Sequence, residues 1–360
     1  MNPTVKRLLP HVAALVVFFL ATAIYFAPMV FEGQVLNQYD INQAKGMQGE
    51  MIKVKEETGT FPLWTNAMFG GMPSYQILFH SSNPLKPVFK GLLLGHNMAA
   101  TWPIIFLLMT TFYLLLLVLK IDWRIALIGG LCFGLATNHI ILVEAGHLTK
   151  LTASAYMAPM LAGMLLAFRK QYLLGGGLVA LSVGLQICAN HVQITYYFFL
   201  MLLIFGLVYL VDAIRKQELP HFFKVVGVLL VAVLIGIGAN ASRLWTTYEY
   251  SKESIRGVSE LKDKGTSSGS SSEEGGGLSK NYGFYWSYGV GETFNLMIPA
   301  YRGGGSYQLL LNDEDSATRR FWGRSQEIRQ LDPGTQNAIA RSLTGKYWGD
   351  QPSTSGPVYM

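Results

Sequence analysis

Charged residues are scarce in this chain. Only 14% of its 360 residues are charged, whereas 51% are hydrophobic. Average soluble domains carry about 25% charged residues, so this deficit indicates a membrane protein. Much of the net charge of +6 sits in short clusters beside apolar runs, which is typical of the loops of a membrane protein. The charge therefore gives no reason to expect nucleic acid as a partner.

Cysteine is also scarce, with only two residues in the chain. Cys132 and Cys188 both fall inside apolar runs, which predicts small buried residues instead of a disulfide or a metal-binding pair. The sequence has no P-loop and no clustered Cys/His metal motif. These absences argue against a nucleotide-driven pump.

Seven apolar runs of about 20 residues, the length that a bilayer core requires, predict seven transmembrane helices. Their expected bounds are roughly 8–30, 98–119, 125–143, 150–168, 172–189, 194–212 and 223–241. Basic residues gather beside alternate ends of these runs, at Lys6/Arg7, Lys120/Arg124, Arg169/Lys170 and Arg215/Lys216/Lys224. Since short cytoplasmic loops carry the Lys/Arg excess, the N-terminus should be cytoplasmic, with the first loop and the C-terminal tail outside.

The chain is therefore predicted to have four parts. A transmembrane module covers 1–241 and includes the outer loop 31–97, and an extracytoplasmic helical segment covers 242–264. The Gly/Ser-rich stretch 265–277 is a flexible linker by composition. An extracytoplasmic segment, 278–360, is expected to lead to a further membrane region, so that this chain would be the N-terminal fragment of a longer protein.

The loop 31–97 is too rich in aromatic residues and glycine to be a plain connector. A loop of this length is usually functional or disordered, and its Trp, Phe and Tyr residues argue against disorder. Asp40 could take the proton of an acceptor or hold a divalent ion; otherwise it is a solvated acid or a helix N-cap. Trp64 could stack on a sugar ring or anchor the loop at the membrane surface.

Polar residues also gather at two other turns on the predicted outer side. Glu144, His147 and Lys150 stand three residues apart and would share one helical face if a helix begins there. His147 and Lys150 could neutralise a phosphate, whereas Glu144 could be a second metal ligand or a partner of Lys150. The next turn holds residues that could bind substrate or form a solvated interfacial belt: His191, Gln193 and Tyr197.

The C-terminal tail contributes two further candidates. Arg256 could bind phosphate, although its segment also has the charge spacing of a solvated helical face. Glu292 lies in the glycine-rich stretch GVGETFNL and is a candidate for substrate binding.

The order of several motifs resembles the YfhO-like bacterial membrane proteins, a branch of the GT-C glycosyltransferase superfamily. The motifs are QYD, PLWTNAMFGGMPSYQ, GHLTKL, NHVQITYY, YEYSKESIRG, WSYGVGETFNLMIP and YWGDQPSTSGPVY. This resemblance implies a GT-C-like module in the bacterial inner membrane that transfers a sugar, with inversion, from a polyprenyl-phosphate carrier on the outer face.

The resemblance also implies a role for Asp40, and the other candidates take the roles that their own chemistry suggests. Asp40, an acidic residue early in the first outer loop, would be the essential catalytic carboxylate and the ligand of a divalent cation, Mg²⁺ or Mn²⁺. Asp40 has no acidic neighbour two residues away, unlike the usual superfamily signature. Glu144 is the second catalytic candidate. The donor phosphate would contact His147, Lys150 and Arg256, and the substrate would contact Gln38, Trp64, His191, Gln193, Tyr197 and Glu292.

The sequence thus predicts an all-α polytopic membrane protein that transfers sugar to a cell-envelope glycan or lipid. The alternatives are a transporter or flippase of a lipid-linked envelope precursor and a non-catalytic assembly protein. Transporters place polar residues near the bilayer midplane, often on broken helices. The candidates here gather at the predicted outer rim, which favours an enzyme.

Overall fold

The computed structural model describes residues 3–78, 83–96, 101–254, 280–287, 289–298, 301–304, 309–312 and 314–351. The chain divides into two compact units, Met1–Thr247 and Tyr248–Met360, called here the N-terminal and the C-terminal unit. Over these residues the structure is mostly helical with almost no sheet, which confirms the predicted all-α class. The predicted linker 265–277 and Arg256 lie outside the described residues.

The first part of the chain begins with a helix that is interrupted once, and the first loop follows. In order they are α1 Pro3–Tyr25, α2 Ala27–Phe31, α3 Tyr39–Thr58, β1 Trp64–Thr65, β2 Met72–Pro73, a 3₁₀ turn Ser74–Gln76 and α4 Lys86–Leu92. The helices that follow are α5 Trp102–Val118, α6 Trp123–Gly134, α7 Thr137–Ala145, α8 Leu148–Ala155, α9 Met157–Phe168, α10 Tyr172–Cys188, α11 Val192–Lys216, α12 Leu219–Gly238 and α13 Ala241–Ser251.

Within the described residues, five helical segments are long and apolar enough to cross a membrane. They are Val5–Tyr25, Trp123–Ala145, Leu148–Phe168, Val192–Lys216 and Leu219–Gly238. The second joins α6 to α7, and the third joins α8 to α9. The apolar helices α5 and α10 are shorter and lie where the second and fifth spans are predicted. The predicted membrane character is therefore confirmed.

Two interruptions of the long helices have the same cause. Proline lacks a backbone N–H, and its ring clashes with the carbonyl four residues earlier. Pro159 stands four residues after Ala155, where α8 ends, and α9 begins at Met157. Pro28 likewise lies just inside α2, and the break from α1 falls at Phe26. The sequence contains the signal for both breaks.

The apolar helices pack most closely around α10, which lies against α9 and α12, while α5 lies against α6 and α9. Small residues permit this contact. A Cβ atom on Gly163 of α9 would stand 2.7 Å from the carbonyl oxygen of Gly175 of α10. The two backbones can approach this closely because neither residue carries a side chain.

The first loop is anchored to the ends of these helices through the segment around α4. Asn83 donates to the side chain of Asn240 at 2.6 Å, and Asn240 donates to the carbonyl of Gly184 at 2.9 Å. The rings of Phe89 and Tyr156 also meet, 6.2 Å between centroids. These contacts agree with the prediction that the loop is folded. Besides its helices, the loop contains the β1–β2 hairpin.

In the C-terminal unit the described elements are short: α14 Lys280–Phe284, 3₁₀ turns Val290–Leu296 and Leu310–Asn312, α15 Ala317–Arg324, α16 Gln326–Arg329 and α17 Pro333–Leu343. Ser316, Ser325 and Asp332 precede the last three helices, and each accepts a backbone N–H of the first turn. Such side chains satisfy N–H groups that have no partner inside the helix. Isolated antiparallel bridges join Gly303 to Tyr347 and Leu309 to Gly345.

Candidate functional site

The start of α3 and the turn between α7 and α8 bring two of the predicted site residues into contact. Asp40 lies in the first turn of α3, and His147 is the residue before α8. The Oδ2 atom of Asp40 is 2.8 Å from Nε2 of His147, and each side chain is about half exposed, 47% and 48%. This pair is an accessible carboxylate–imidazole couple at the ends of apolar helices.

The turn at Gly146 makes this contact possible. Gly146 has φ +85°, a left-handed conformation that ends α7, and glycine adopts it without steric cost. A Cβ atom there would stand 3.2 Å from Gln38, 3.3 Å from Ile41 and 3.4 Å from Asp40. The first turn of α3 therefore rests directly on the glycine.

Gln38 also holds α3 against this turn. Its side chain is only 3% exposed, and its amide donates a hydrogen bond to the carbonyl of Val143 in α7. That carbonyl belongs to the last turn of α7, where backbone acceptors have no partner inside the helix. The residue was predicted to contact substrate, whereas the observed contact positions Asp40.

His191 lies close enough to Lys150 and His147 for both to affect its pKa. His191 precedes α11, and its Nδ1 atom is 3.4 Å from the hydroxyl oxygen of Thr149. Burial lowers the pKa of His191, and the neighbouring Lys150 and His147 side chains lower it further. His191 is therefore neutral at pH 7, where it can make hydrogen bonds to a substrate but adds no charge.

The proposed shared helical face of Glu144, His147 and Lys150 is wrong. Glu144 belongs to α7, whereas Lys150 belongs to α8, and the left-handed Gly146 breaks the helical register between them. The Glu144 side chain is exposed and forms no ion pair with another described residue. Its predicted roles as metal ligand or Lys150 partner gain no support from this placement.

Trp64 lies on the β1–β2 hairpin, and Glu50 of α3 holds that hairpin in place. The Glu50 carboxylate accepts hydrogen bonds from the Thr65 hydroxyl and from the backbone N–H groups of Asn66 and Ala67. The Thr65 bond contributes most to a lowered pKa of Glu50, and the two backbone bonds add to it. Trp64 itself is 54% exposed. Sequence reasoning missed Glu50, because a lone acid in a charged helix carries no pattern.

The remaining predicted substrate contacts are dispersed. Gln193 donates to the hydroxyl of Tyr197, one turn further along α11, at 3.1 Å, and both residues are exposed. Glu292 belongs to the C-terminal unit, where it is fully buried. No hydrogen bond or ion pair in the described ranges joins Gln193 or Tyr197 to Asp40.

Arg243 is a half-buried cation that the sequence reasoning did not select. It lies in α13, just after the last long apolar helix, and its Nη1 atom donates to the carbonyl of Cys188 at 3.3 Å. Burial lowers its pKa to about 10. A lone arginine beside an apolar run belongs to no motif, so no sequence pattern pointed to it.

The couple alone does not form a convincing site for the divalent cation that the family resemblance implies. No group of three or more His, Cys, Asp or Glu side chains suited to a metal occurs in the described part of the chain. Mg²⁺ prefers oxygen ligands in octahedral geometry, and Asp40 offers one carboxylate that already contacts His147. The cation stays a prediction, and no chemical step below passes through it.

Comparisons with known proteins do not assign the chain to a family. No family model, curated protein or solved structure matches it. The resemblance to YfhO-like proteins therefore stays a hypothesis, and the functional proposal depends on the chemistry of the residues around Asp40.

Proposed function

We propose that this protein is a membrane glycosyltransferase of the YfhO-like, GT-C type. It transfers a sugar from a polyprenyl-phosphate donor to a cell-envelope glycan or lipid on the extracytoplasmic face of the bacterial inner membrane. The proposal includes seven spans, with α5 and α10 completing the five longer segments. The N-terminus is then cytoplasmic, and Asp40 faces the outside.

The contact between Asp40 and His147 carries this proposal. The two residues are distant in the chain, and three local devices converge on their contact: the left-handed Gly146, the buried Gln38 and the first turn of α3. A surface ion pair contributes little to stability, so such convergence is better explained by chemistry. A carboxylate beside an imidazole is a typical proton-accepting pair.

In the proposed reaction, a hydroxyl oxygen of the acceptor attacks the anomeric carbon of the donor sugar. The bond between that carbon and the phosphate oxygen breaks, and the phosphate leaves with the bonding electrons. The acceptor proton passes to the Asp40–His147 couple, which is restored when the proton is released to water. Lys150 offsets the charge of the leaving phosphate, and neutral His191 contributes a hydrogen bond.

An apolar cavity in the helical bundle supports a donor with a hydrocarbon chain. The cavity has a volume of about 330 Å³ and lies between α1, α4, α5, α9 and α10. Its walls are almost wholly apolar and reach from Leu92 of α4 and Tyr156 to Leu117 near the end of α5. Pockets of roughly this size accept small ligands.

Sugar release from a radiolabelled polyprenyl-phosphate hexose tests the proposal, with purified protein in liposomes and an envelope glycan extract as acceptor. The proposal expects time-dependent transfer of label to the extract, and Asp40→Asn should abolish most of it. A protein that moves the intact donor across the bilayer without cleaving it would be a flippase. Absence of both transfer and movement, across donors of different hexoses, would favour the assembly protein.

A further inference from the structure

A second polar cluster lies in the C-terminal unit, where two distant segments pair. Gly303 forms an antiparallel bridge with Tyr347, and the backbone N–H of Trp348 donates to the carbonyl of Arg302 at 2.8 Å. This register places Arg302 opposite Trp348. Residues directly opposite in an antiparallel pair project to the same side, so Arg302 and Trp348 share one face of this pair.

A buried carboxylate fixes the base of this cluster. Glu292 is fully buried, accepts the backbone N–H of Gly289 at 2.7 Å and accepts the hydroxyl of Tyr347. The Tyr347 oxygen in turn accepts the N–H of Gln351 at 3.0 Å. Burial, with a smaller contribution from Glu292, raises the pKa of Tyr347 to about 12. Glu292 is therefore held inside the unit by donors from two segments.

Two hydrogen-bond donors beside this base have no partner among the described residues. Asn295 is 1% exposed. Its Oδ1 atom accepts a hydrogen bond from the backbone N–H of Arg302 at 3.0 Å, while its Nδ2 atom is unpaired. The Nε atom of Arg302 is also buried and unpaired, and its guanidinium carbon lies 5.6 Å from the centre of the Tyr301 ring. Buried donors are nearly always satisfied, so these two are the donors of the cluster to which a ligand acceptor would bind.

The same cluster presents an acceptor and an aromatic face to solvent. Asp350 is exposed, and a Cβ atom on Gly289 would stand 1.9 Å from its Oδ2 atom, so this carboxylate lies against the segment that holds Glu292. Trp348 is 66% exposed. A Cβ atom on Gly291 would likewise stand 2.4 Å from Nη2 of Arg302, so a carboxylate and a guanidinium both lie against the turn Val290–Leu296.

We propose that this cluster, formed by Asn295, Arg302, Trp348 and Asp350, binds a sugar ring. Hydroxyl groups both donate and accept hydrogen bonds, so a sugar can satisfy Asn295 and Arg302 while donating to Asp350. An anion would meet the carboxylates of Asp350 and Glu292, and a metal ion would leave both orphan donors unpaired. The apolar face of the ring covers the indole of Trp348, as aromatic residues commonly do with flat ligands.

This binding site is independent of the transfer reaction proposed at Asp40. It would give the protein a glycan-binding surface on the unit that is predicted to lie outside the membrane. A variant that lacks Asp40 chemistry should therefore bind sugar normally, so failure of one proposal can be distinguished from failure of the other.

The test measures binding of methyl glycosides of glucose, galactose, mannose and N-acetylglucosamine to the full chain in nanodiscs. Saturation-transfer NMR detects binding, and titration gives the dissociation constant. At least one glycoside should bind, and Trp348→Ala should weaken it by about tenfold or more. Asn295→Ala should also weaken the binding of that glycoside. Phe321→Ala removes an equally exposed aromatic ring, 67%, from α15 and should leave binding unchanged.

Trp348 lies at the surface, so its variant should fold even if Asn295→Ala does not. Asp40→Asn should bind the glycoside as the wild type does. The proposal is overturned if no glycoside binds at millimolar concentration, or if Trp348→Ala binds as tightly as the wild type. Binding of inorganic phosphate or Ca²⁺ that depends on Arg302 or Asp350, without glycoside binding, would also overturn it.

Discussion

Replacing Asp40 with asparagine should separate stability from activity. Asp40→Asn keeps the size of the side chain but removes the charge that faces His147 at 2.8 Å. A matched control exists in α11, where Asp212 and Lys216 form an ion pair of the same length, with side chains 50% and 61% exposed. Asp212→Asn therefore removes an equally accessible ion pair outside the proposed site.

The expected magnitudes follow from exposure. Because water screens an exposed ion pair of this kind, both variants should lose only a small part of the unfolding free energy. Loss of a general base costs about 10²–10⁴-fold in rate, equivalent to about 3–5 kcal/mol of transition-state stabilisation. Only Asp40→Asn should show this second, larger effect.

Thermal unfolding in detergent measures the first quantity, and release of labelled sugar from a polyprenyl-phosphate donor measures the second. Asp40→Asn should unfold within a few degrees of Asp212→Asn and yet turn over far more slowly. Unchanged turnover in Asp40→Asn, with wild-type activity shown in the same assay, would remove Asp40 from the mechanism. A large loss of stability in Asp40→Asn alone would show that the couple has a structural role.

Three further predictions concern the fold. Glu50→Gln should loosen the β1–β2 hairpin and increase its proteolysis. Because folding lowers the pKa of Glu50, its stabilising contribution in the wild type is present above the unfolded pKa and is lost as pH falls through the folded pKa. A wild-type hairpin that is equally protected from proteolysis at low and neutral pH would contradict this. Gly163→Ala should destabilise the helical bundle by about 1–3 kcal/mol, because the added methyl group overpacks against Gly175. Thermal unfolding measures this loss, and an unchanged melting temperature would refute the close contact. Reporter fusions should place Lys55 outside and Arg169 in the cytoplasm, and a cytoplasmic Lys55 would exclude an extracytoplasmic site at Asp40.

The helical, membrane-type architecture could be predicted because it depends on local composition. Apolar runs must bury their backbone polar groups in helices when they enter a bilayer, and this constraint acts on each run by itself. The breaks at Pro28 and Pro159 were readable for the same reason, since proline acts on its own helix. The shorter lengths of α5 and α10 were not readable, because helix ends depend on local caps and neighbours.

The candidate site was predicted in part. Asp40, His147, Lys150 and His191 were each selected as polar residues beside apolar runs, but their grouping required the tertiary structure. The helical spacing of Glu144, His147 and Lys150 suggested one face, and a single left-handed glycine made that inference wrong. Glu50 and Arg243 carry no motif, so only their contacts reveal them.

The sequence by itself determined that this chain is helical, apolar and asymmetric in charge, because these properties are sums over neighbouring residues. Only the tertiary structure decided which polar groups meet. Asp40 reaches His147 because α3 rests on Gly146, and Arg302 stands opposite Trp348 because two distant segments pair in one register. Such contacts depend on the packing of segments that are far apart in the chain, and no local pattern specifies that packing.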